Sequence, residues 1–246
     1  MTTWEDKFIR FVAERWVFQG SDPHRFTPRL LLVAFGEDFL SSHLERHEHF
    51  GTLYSGHIGD RQIGYVRVPP GTVILEGIMR SLVFTRIDTV IGLGTCGALQ
   101  PEIDCGDIVV AGSAQAGEAL SRHYGFEQDQ VIEADGPLTA ALADSLAQQG
   151  LPAHTGPIVT TGSVFRETEE LIESWRGNGY MGVELEAAGL FALGAFLKIR
   201  TAMALLVTDS PVRRETSGAL KGRGGRSFVE GVKGFLRAPG VYANLD

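Results

Sequence analysis

Cysteine is scarce in this sequence. The chain has two cysteines among 246 residues, Cys96 and Cys105, and they form neither a CxxC pair nor a spacing typical of metal ligands. A disulfide framework is therefore not predicted, and such sparse cysteine is typical of a reducing compartment. We expect a cytoplasmic protein.

Long apolar runs and an excess of basic charge are also missing. No apolar stretch reaches the ~18 residues of a membrane-spanning helix, and the first residues lack the charged and apolar regions of a signal peptide. The formal net charge is −8 and the sequence pI is about 5.4, which disfavours a general surface for nucleic acid or anionic lipid. We expect neither nucleic acid nor a membrane as a partner.

The apolar content suits one large core. A chain of 246 residues that is 43% hydrophobic favours a single α/β domain over residues 1–246, in which residues 1–27 form an N-terminal helical arm. Apolar side chains at helical spacing predict an amphipathic helix over residues 4–16, which packs on its own domain or serves a subunit contact. These side chains are Trp4, Phe8, Phe11, Val12 and Trp16.

The stretch 89–99 is the most informative one, because an apolar strand there leads into a segment with three glycines. Gly92, Gly94 and Gly97 fit the spacing of the dinucleotide-binding fingerprint, which requires a following helix. Pro101 and another predicted strand leave no room for that helix, so we reject a nicotinamide or flavin site. The glycines either let a ligand approach the end of an interior strand or simply turn the chain.

Two acids follow the first apolar strand, 29–35. Glu37 and Asp38 precede a predicted helix that runs through Arg46. They either contribute to a site at the carboxyl end of the strand or stabilise the N-terminus of the helix.

Three histidines lie in or beside this predicted helix. His43 and His47 have the i, i+4 spacing that can bind a metal, and His49 follows. No cysteine or acidic cluster completes a site, so we expect solvated side chains and no metal.

The other predicted elements are less informative. They are a hairpin over 53–68, a helix over 73–84 with Arg80 on its exposed side, strands over 108–111 and 158–163, and a helix over 137–149, with 113–135 unassigned. Phe165 and Arg166 follow the second of these strands, and Phe165 belongs either to the core or to a stacking site for a flat ring.

Two glutamates open the apolar helix predicted over 182–197. Glu184 and Glu186 point about 200° apart if both are helical, so we expect one to face outward and the other to enter a pocket. A buried carboxylate needs hydrogen-bond partners, and a pair of ligand hydroxyls would supply them.

An aspartate ends the next apolar strand. Asp209 follows the run 202–207 and precedes Pro211, so it either acts as a general acid of raised pKa or caps a loop. A glycine-rich basic segment over 213–226 follows, before a helix predicted over 227–236. We expect this segment to be a mobile loop that closes over an anionic group or is simply solvated.

Three segments in order resemble signatures of the purine and uridine phosphorylase superfamily. They are GTCGAL at 94–99 with GDIVV at 106–110, GVELEAAG at 182–189, and VTD at 207–209. The resemblance implies a three-layer α/β/α sandwich around a mixed, partly closed sheet, and a homo-oligomer such as a dimer or a trimer of dimers. It also implies cleavage of an N-glycosidic bond by phosphate or water, without any cofactor.

The resemblance further implies roles for single residues. Glu186 would bind the ribose hydroxyls, Asp209 would protonate the leaving base and Phe165 would stack on it. Gly94 and Thr95 would contact the nucleophile or the sugar. The other expected substrate-binding residues are Arg166, Glu184, Leu185, Thr208 and Arg223, with Leu185 where the family usually has methionine and Arg166 or the basic segment in reach of a 5′-phosphate.

The sequence departs from the phosphorylase pattern at the nucleophile. Gly92 and Leu40 stand near positions where phosphorylases carry arginine, whereas Glu37 and Asp38 would repel phosphate. We therefore expect hydrolysis, as in the similar methylthioadenosine nucleosidase branch, with Asp38, or else Glu37, activating water.

Two alternatives to hydrolysis stay open. In a phosphorylase, Thr95, Arg80 or an arginine of a neighbouring subunit would hold phosphate as co-substrate. The chain is otherwise a catalytically silent nucleoside sensor.

Overall fold

The structure, a computed structural model, describes residues 3–238. The strands are β1 Leu30–Phe35, β2 Glu45–Phe50, β3 Leu53–Ile58, β4 Arg61–Val68, β5 Thr89–Ala98, β6 Ile108–Gly117, β7 Val131–Glu133, β8 Ala153–Thr161, β9 Gly182–Glu184, β10 Arg200–Ser210 and β11 Glu215–Thr216. The helices are α1 Trp4–Val12, α2 Thr72–Ser81, α3 Leu120–His123, α4 Gly136–Gln148, α5 Glu169–Gly177, α6 Ala187–Leu197 and α7 Arg223–Arg237. Helix α1 continues into a π-helical turn, Ala13–Val17. No helix within the described range combines the length and the apolarity needed to cross a membrane.

One mixed sheet contains these strands in the order β11-β10-β6-β8-β9-β5-β1-β4-β3-β2, with β7 paired to β6. Strand β5 also pairs with β10, which closes β5, β10, β6, β8 and β9 into a ring. Within this sheet β5 runs parallel to β1 and β10 and antiparallel to β9. The predicted partly closed mixed sheet is therefore confirmed.

Helices cover both faces of the sheet. Alternate residues of β1 enter opposite cores: Leu31 and Val33 pack with the α2 and α6 side, and Leu30 and Leu32 with the α4 and α7 side. Because both faces are buried, β1 is a continuous apolar run rather than an alternating one. The predicted three-layer arrangement is confirmed.

The predicted glycine-rich loop is part of a strand. Strand β5 continues through Ala98, and a Cβ at Gly92 would meet Leu190 and Met203 at 3.0 and 3.2 Å. Glycine at this position lets helix α6 and strand β10 pack closely against β5. The interpretation as a simple turn is wrong.

The helix predicted after Asp38 is also wrong. A single 3-10 turn, Ser41–His43, is followed by β2, which pairs antiparallel with β3 through His49 and Tyr54. Apart from Phe50, β2 is exposed, so its sequence carries no apolar alternation to predict a strand. Pairing with β3 decides its conformation.

Three further expectations need correction. Helix α7 begins at Arg223, so part of the predicted basic loop is helical. Arg80 is not on an exposed side, since its guanidinium contacts Glu5 and Tyr124. The unassigned stretch 113–135 contains the end of β6, helix α3 and β7, and pairing of β7 with β6 supplies the order that its polar sequence does not predict.

Candidate active site

Three strand ends meet at Gly97. On one side Gly97 pairs with Val183 of β9, just before Glu184, and on the other side it pairs with Asp209 of β10. A Cβ at Gly97 would lie 2.8 Å from a carboxylate oxygen of Asp209. Only glycine here lets that carboxylate lie against the β5 backbone, so Gly97 brings Asp209 close to the Glu184 strand end.

Glu184 caps helix α6 from the neighbouring strand. It lies in β9 and not in a helix, and its carboxylate accepts hydrogen bonds from the N–H groups of Glu186 and Ala187 at 2.6 and 2.9 Å. The hydroxyl of Thr160 on β8 donates to Glu184 at 2.5 Å and accepts from the N–H of Ala188 at 2.8 Å. Together they accept hydrogen bonds from three consecutive N–H groups at the start of α6, those of residues 186–188.

Glu186 lies at the N-terminal boundary of α6 and is also buried. The exposed fractions of Glu184 and Glu186 are 5% and 4%, so the expectation that one faces outward is wrong. Strand geometry at Glu184 and a non-helical backbone at Glu186, the N-cap of α6, place both on the inside. The carboxylate of Glu186 accepts the N–H of Gly71 at 2.5 Å, just before helix α2.

Burial makes it unfavourable for both glutamates to be ionised at once. Burial and the nearby charge of Glu184 raise the pKa of Glu186 to about 8. Burial also raises the pKa of Glu184, although its hydrogen bonds from Thr160 and the α6 backbone favour its ionised form. Because Glu184 has these hydrogen-bond donors, it is the better placed of the two to carry the charge, and burial beside it favours the protonated form of Glu186 near neutral pH.

Asp209 is half-buried near the end of β10. Its carboxylate accepts a hydrogen bond from the Thr208 hydroxyl at 3.0 Å. Burial raises the pKa of Asp209, and the bond from Thr208 opposes that shift. A carboxyl in this setting can hold a proton closer to neutral pH than a solvated aspartate can.

Glu167 is an acid that the sequence analysis missed. It is half-buried within the otherwise exposed segment 162–170. Burial and the charge of Asp209 raise the pKa of Glu167 to about 7. Gly71 and Thr160 were missed as well, because a Pro-Pro-Gly turn and a strand threonine carry no signal of their own.

Thr95 lies on β5 close to Gly97, and its hydroxyl is available to a ligand. It is half-buried, pairs with Leu206 of β10 and makes no side-chain hydrogen bond within residues 3–238. A Cβ at the adjacent Gly94 would instead meet Leu205 at 3.2 Å, so that position faces the core. Leu185 is half-buried between the two glutamates.

Three predicted binding residues are exposed. Phe165 is 97% exposed in a 3-10 turn, Val164–Arg166, so its interpretation as a core residue is wrong. Arg166 beside it is exposed, as is Arg223 at the first position of α7. The turn follows the end of β8, and residues 162–166 are all exposed.

Glu37 and Asp38 lie in a separate cavity. They border a cavity of about 450 Å³ together with Lys221 and Arg226 of the basic segment, and its lining includes neither Glu186 nor Asp209. Asp38 accepts hydrogen bonds from the hydroxyl of Tyr65 at 2.7 Å and from the backbone and hydroxyl of Ser41. Burial alone would raise the pKa of Asp38, but these bonds hold it below its ordinary value.

Histidines do not gather into a metal site. His47 and His49 lie on β2 with ring centroids 5.8 Å apart, and no group of three or more possible ligand side chains occurs in the described part of the chain.

Comparison with known proteins assigns the family. The sequence profile of the phosphorylase superfamily matches residues 26–228. The chain belongs to the phosphorylase superfamily. The superfamily match includes the candidate site from Glu37 to Arg223 and leaves out most of the N-terminal arm.

Among relatives in the superfamily, a DeoD-type purine nucleoside phosphorylase of Dichelobacter nodosus is 33% identical over 55% of this chain and 57% of its own length. A DeoD-type purine nucleoside phosphorylase of a Thermoanaerobacter species is 31% identical over 68% of this chain and 69% of its own length. A guanosine phosphorylase of Halorubrum lacusprofundi is 28% identical over 61% of each chain. The chain thus spans about three fifths of the length of several of these relatives.

Proposed function

We propose that this protein cleaves the N-glycosidic bond of a purine nucleoside with inorganic phosphate as the nucleophile. The observation that carries the proposal is that the strand end leading into the buried pair Glu184 and Glu186 and the strand end at Asp209 flank the same residue of β5, Gly97. The names of the relatives favour a purine base and phosphate. Phosphorolysis therefore replaces our expectation of hydrolysis.

Glu186 binds the sugar in this proposal. Its carboxyl group accepts a hydrogen bond from the N–H of Gly71 and can also accept hydrogen bonds from a pair of ribose hydroxyls. Two such bonds favour the ionised form of Glu186, and a carboxylate near C1′ stabilises the positive charge that develops there. Glu184 positions Glu186 by holding the start of α6.

Asp209 acts on the base. A phosphate oxygen forms the bond to C1′, the C1′–N bond breaks with its electron pair passing to the base, and Asp209 gives the base a proton. Phe165 stacks on the exposed face of the base, and Thr208 orients Asp209. The products are ribose 1-phosphate and the free base.

In this proposal phosphate binds Thr95 and the guanidinium of Arg67, which is not one of the arginines that the family pattern leads us to expect. Nε and Nη2 of Arg67 both donate to the Gly36 carbonyl, at 2.9 and 2.6 Å, which holds a guanidinium at the carboxyl end of β1. Its Nη1 makes no hydrogen bond within residues 3–238 and can meet an anion. Arg80 does not serve this purpose, because it is bound to Glu5 and Tyr124.

Base release should depend on phosphate. We expect release from inosine and guanosine to require phosphate and to yield ribose 1-phosphate in equal amount, because the carboxylate of Asp38 is already hydrogen-bonded to Tyr65 and Ser41 and is poorly placed to activate water. The measurement follows ultraviolet absorbance of the base in phosphate-free buffer and over a phosphate titration. An equal rate without phosphate would reject phosphorolysis in favour of hydrolysis.

Two variants test whether Arg67 binds phosphate and whether Asp38 activates water. Arg67→Gln should raise KM for phosphate by about 10-fold without changing KM for the nucleoside, since one charge-assisted hydrogen bond is lost. Asp38→Asn should leave kcat unchanged where the fold remains intact. A loss of kcat in Asp38→Asn with normal thermal stability would instead assign water activation to Asp38.

The proposal also gives a pH dependence. Near pH 7 the half-buried Glu167 still holds a proton that Asp209 can draw on, and both groups are ionised at higher pH. We expect kcat/KM to fall as the pH rises above about 7. In Glu167→Gln the neighbouring negative charge and its proton are removed, so this fall should begin at lower pH, as set by Asp209 alone.

The control for this pH effect is the exposed neighbour Glu170, replaced as Glu170→Gln. Its profile should match the parent protein. A Glu167→Gln profile that also matches the parent would remove Glu167 from the reaction.

We further propose that the protein is a homo-oligomer that acts on a free nucleoside in the cytoplasm, without a cofactor.

A further inference from the structure

Four aromatic rings line the outer face of the N-terminal arm. Trp4 is 78% exposed, Trp16 is 60% exposed, and Phe8 and Phe11 are each 47% exposed. Consecutive ring centroids lie 6.0, 6.2 and 6.5 Å apart, so the rings form one continuous stripe. Scattered exposed apolar side chains are ordinary, but a contiguous aromatic stripe marks an interaction surface.

The opposite side of the arm is already fixed to its own domain. Val12 packs against the position of Gly77 on α2, and Ala13 is buried. Arg80 binds Glu5 at 2.5 Å, and the guanidinium of Arg10 lies 5.0 Å from the ring centre of Phe84. The arm thus packs on its own domain, and none of the described residues buries its aromatic stripe.

The spacing of the stripe is symmetric. Positions 4, 8 and 11 continue to position 15 in a regular α-helical seam, and the pattern i, i+4, i+7, i+11 is the same from either end. The π-helical turn Ala13–Val17 inserts one residue, which moves Trp16 to where residue 15 would lie. Two copies of this stripe can therefore pack antiparallel about a two-fold axis, with Phe8 against Phe11 and Trp4 against Trp16.

The charges beside the stripe agree with the same pairing. Lys7 and Glu14 flank it, both are exposed, and neither makes an ion pair within residues 3–238. In an antiparallel pair centred between Phe8 and Phe11, Lys7 of each copy lies opposite the turn that carries Glu14 and Arg15 of the other, where it can pair with the Glu14 carboxylate. The partner that matches both the spacing and the charge is a second copy of this chain.

We propose that α1 and its π-helical turn form an isologous dimer interface through this aromatic stripe. The inference does not rest on the proposed function. Helix α2, which carries the arm, begins at Thr72 directly after Gly71, so the interface is connected through one helix to the backbone group that holds Glu186. Buried aromatic anchors dominate the energetics of such interfaces.

The first test is the association state of charged variants. Sedimentation equilibrium of the full chain should give a dimer or a larger assembly containing it. Phe8→Glu/Phe11→Glu should raise the dissociation constant of this contact by at least about 100-fold, because two anchors become charged. Leu171→Glu on α5 is the matched control, since it places a charge at another exposed apolar residue and should leave the mass unchanged.

The second test identifies the partner as the same segment. Lys7→Glu or Glu14→Lys alone should weaken the dimer by about 10-fold, since two like-charged pairs replace two ion pairs. The double variant should restore the parent affinity. Circular dichroism checks that each variant is folded.

Three results would overturn the inference. They are a monomer at all concentrations, an unchanged mass in folded Phe8→Glu/Phe11→Glu, and no restoration in the double charge variant. Since mass is measured, none depends on enzyme activity.

Discussion

Asp209→Asn is expected to reduce base release by about 10²- to 10⁴-fold while leaving nucleoside binding within a few-fold of the parent protein, because an amide keeps the shape and loses the proton. Burial raises the pKa of Asp209, which makes it a better proton source near neutral pH. Steady-state base release gives kcat, and binding of a non-cleavable nucleoside analogue gives affinity. The two together separate chemistry from binding.

A matched aspartate tests whether the effect is local. Asp60→Asn changes the exposed turn between β3 and β4 and should leave both measurements unchanged. If Asp209→Asn instead turns over as well as the parent protein and binds normally, Asp209 has no role as an acid. Absence of turnover in the parent itself, with intact nucleoside binding, would favour the sensor alternative.

Glu186→Gln is expected to reduce kcat/KM for the nucleoside by about 100-fold or more, since a charge-assisted acceptor for two sugar hydroxyls is lost. The loss should be smaller for a nucleoside that lacks the 2′-hydroxyl. Base release across such a pair of substrates measures it. An equal loss for both nucleosides would mean that Glu186 does not contact the 2′-hydroxyl.

Glu186→Gln should lower the activity without lowering the free energy of unfolding at pH 8. The pKa of Glu186 is about 8 in the folded protein and 4.5 in its ordinary state, so between these values the folded state binds more protons than the unfolded state. Stability from this group is therefore lost as the pH rises from about 4.5 to about 8, and Glu186→Gln, which cannot ionise, should be at least as stable as the parent protein at pH 8.

Glu184→Gln is the matched comparison for Glu186→Gln. Glu184 accepts hydrogen bonds from two backbone N–H groups and from Thr160, so neutralising it should lower the melting temperature together with the activity. Thermal unfolding at pH 8 of both variants distinguishes a residue that binds substrate from one that holds the α6 N-terminus. Equal destabilisation by both substitutions would contradict this assignment.

The strands around the site were predictable because their local pattern and their environment agree. β1 and β10 are continuous apolar runs, and both are buried on two faces of the sheet. The segment 182–197 signals a deeply packed helix by its small and apolar residues, and α6 is buried over most of its length. In these places composition alone indicates burial.

β2 and the β5 glycines were not predictable for the opposite reason. β2 has one buried residue of six and becomes a strand only because β3 supplies its hydrogen-bond partners. The glycines of β5 look like a turn until Leu190, Met203 and Asp209 are placed against them. Backbone conformation there depends on neighbours that are far away in sequence.

By itself, the sequence determined the fold class and singled out Glu184, Glu186 and Asp209 as candidates, since acids that border long apolar runs need no partner to be recognised. Tertiary structure alone decided that Glu184 caps a helix while Glu186 faces Gly71, that Glu167 lies close to Asp209, and that Asp38 is already hydrogen-bonded. The physical reason is that the charge and the free hydrogen-bonding capacity of a carboxyl group depend on burial and on partners from other strands, which a linear pattern does not specify.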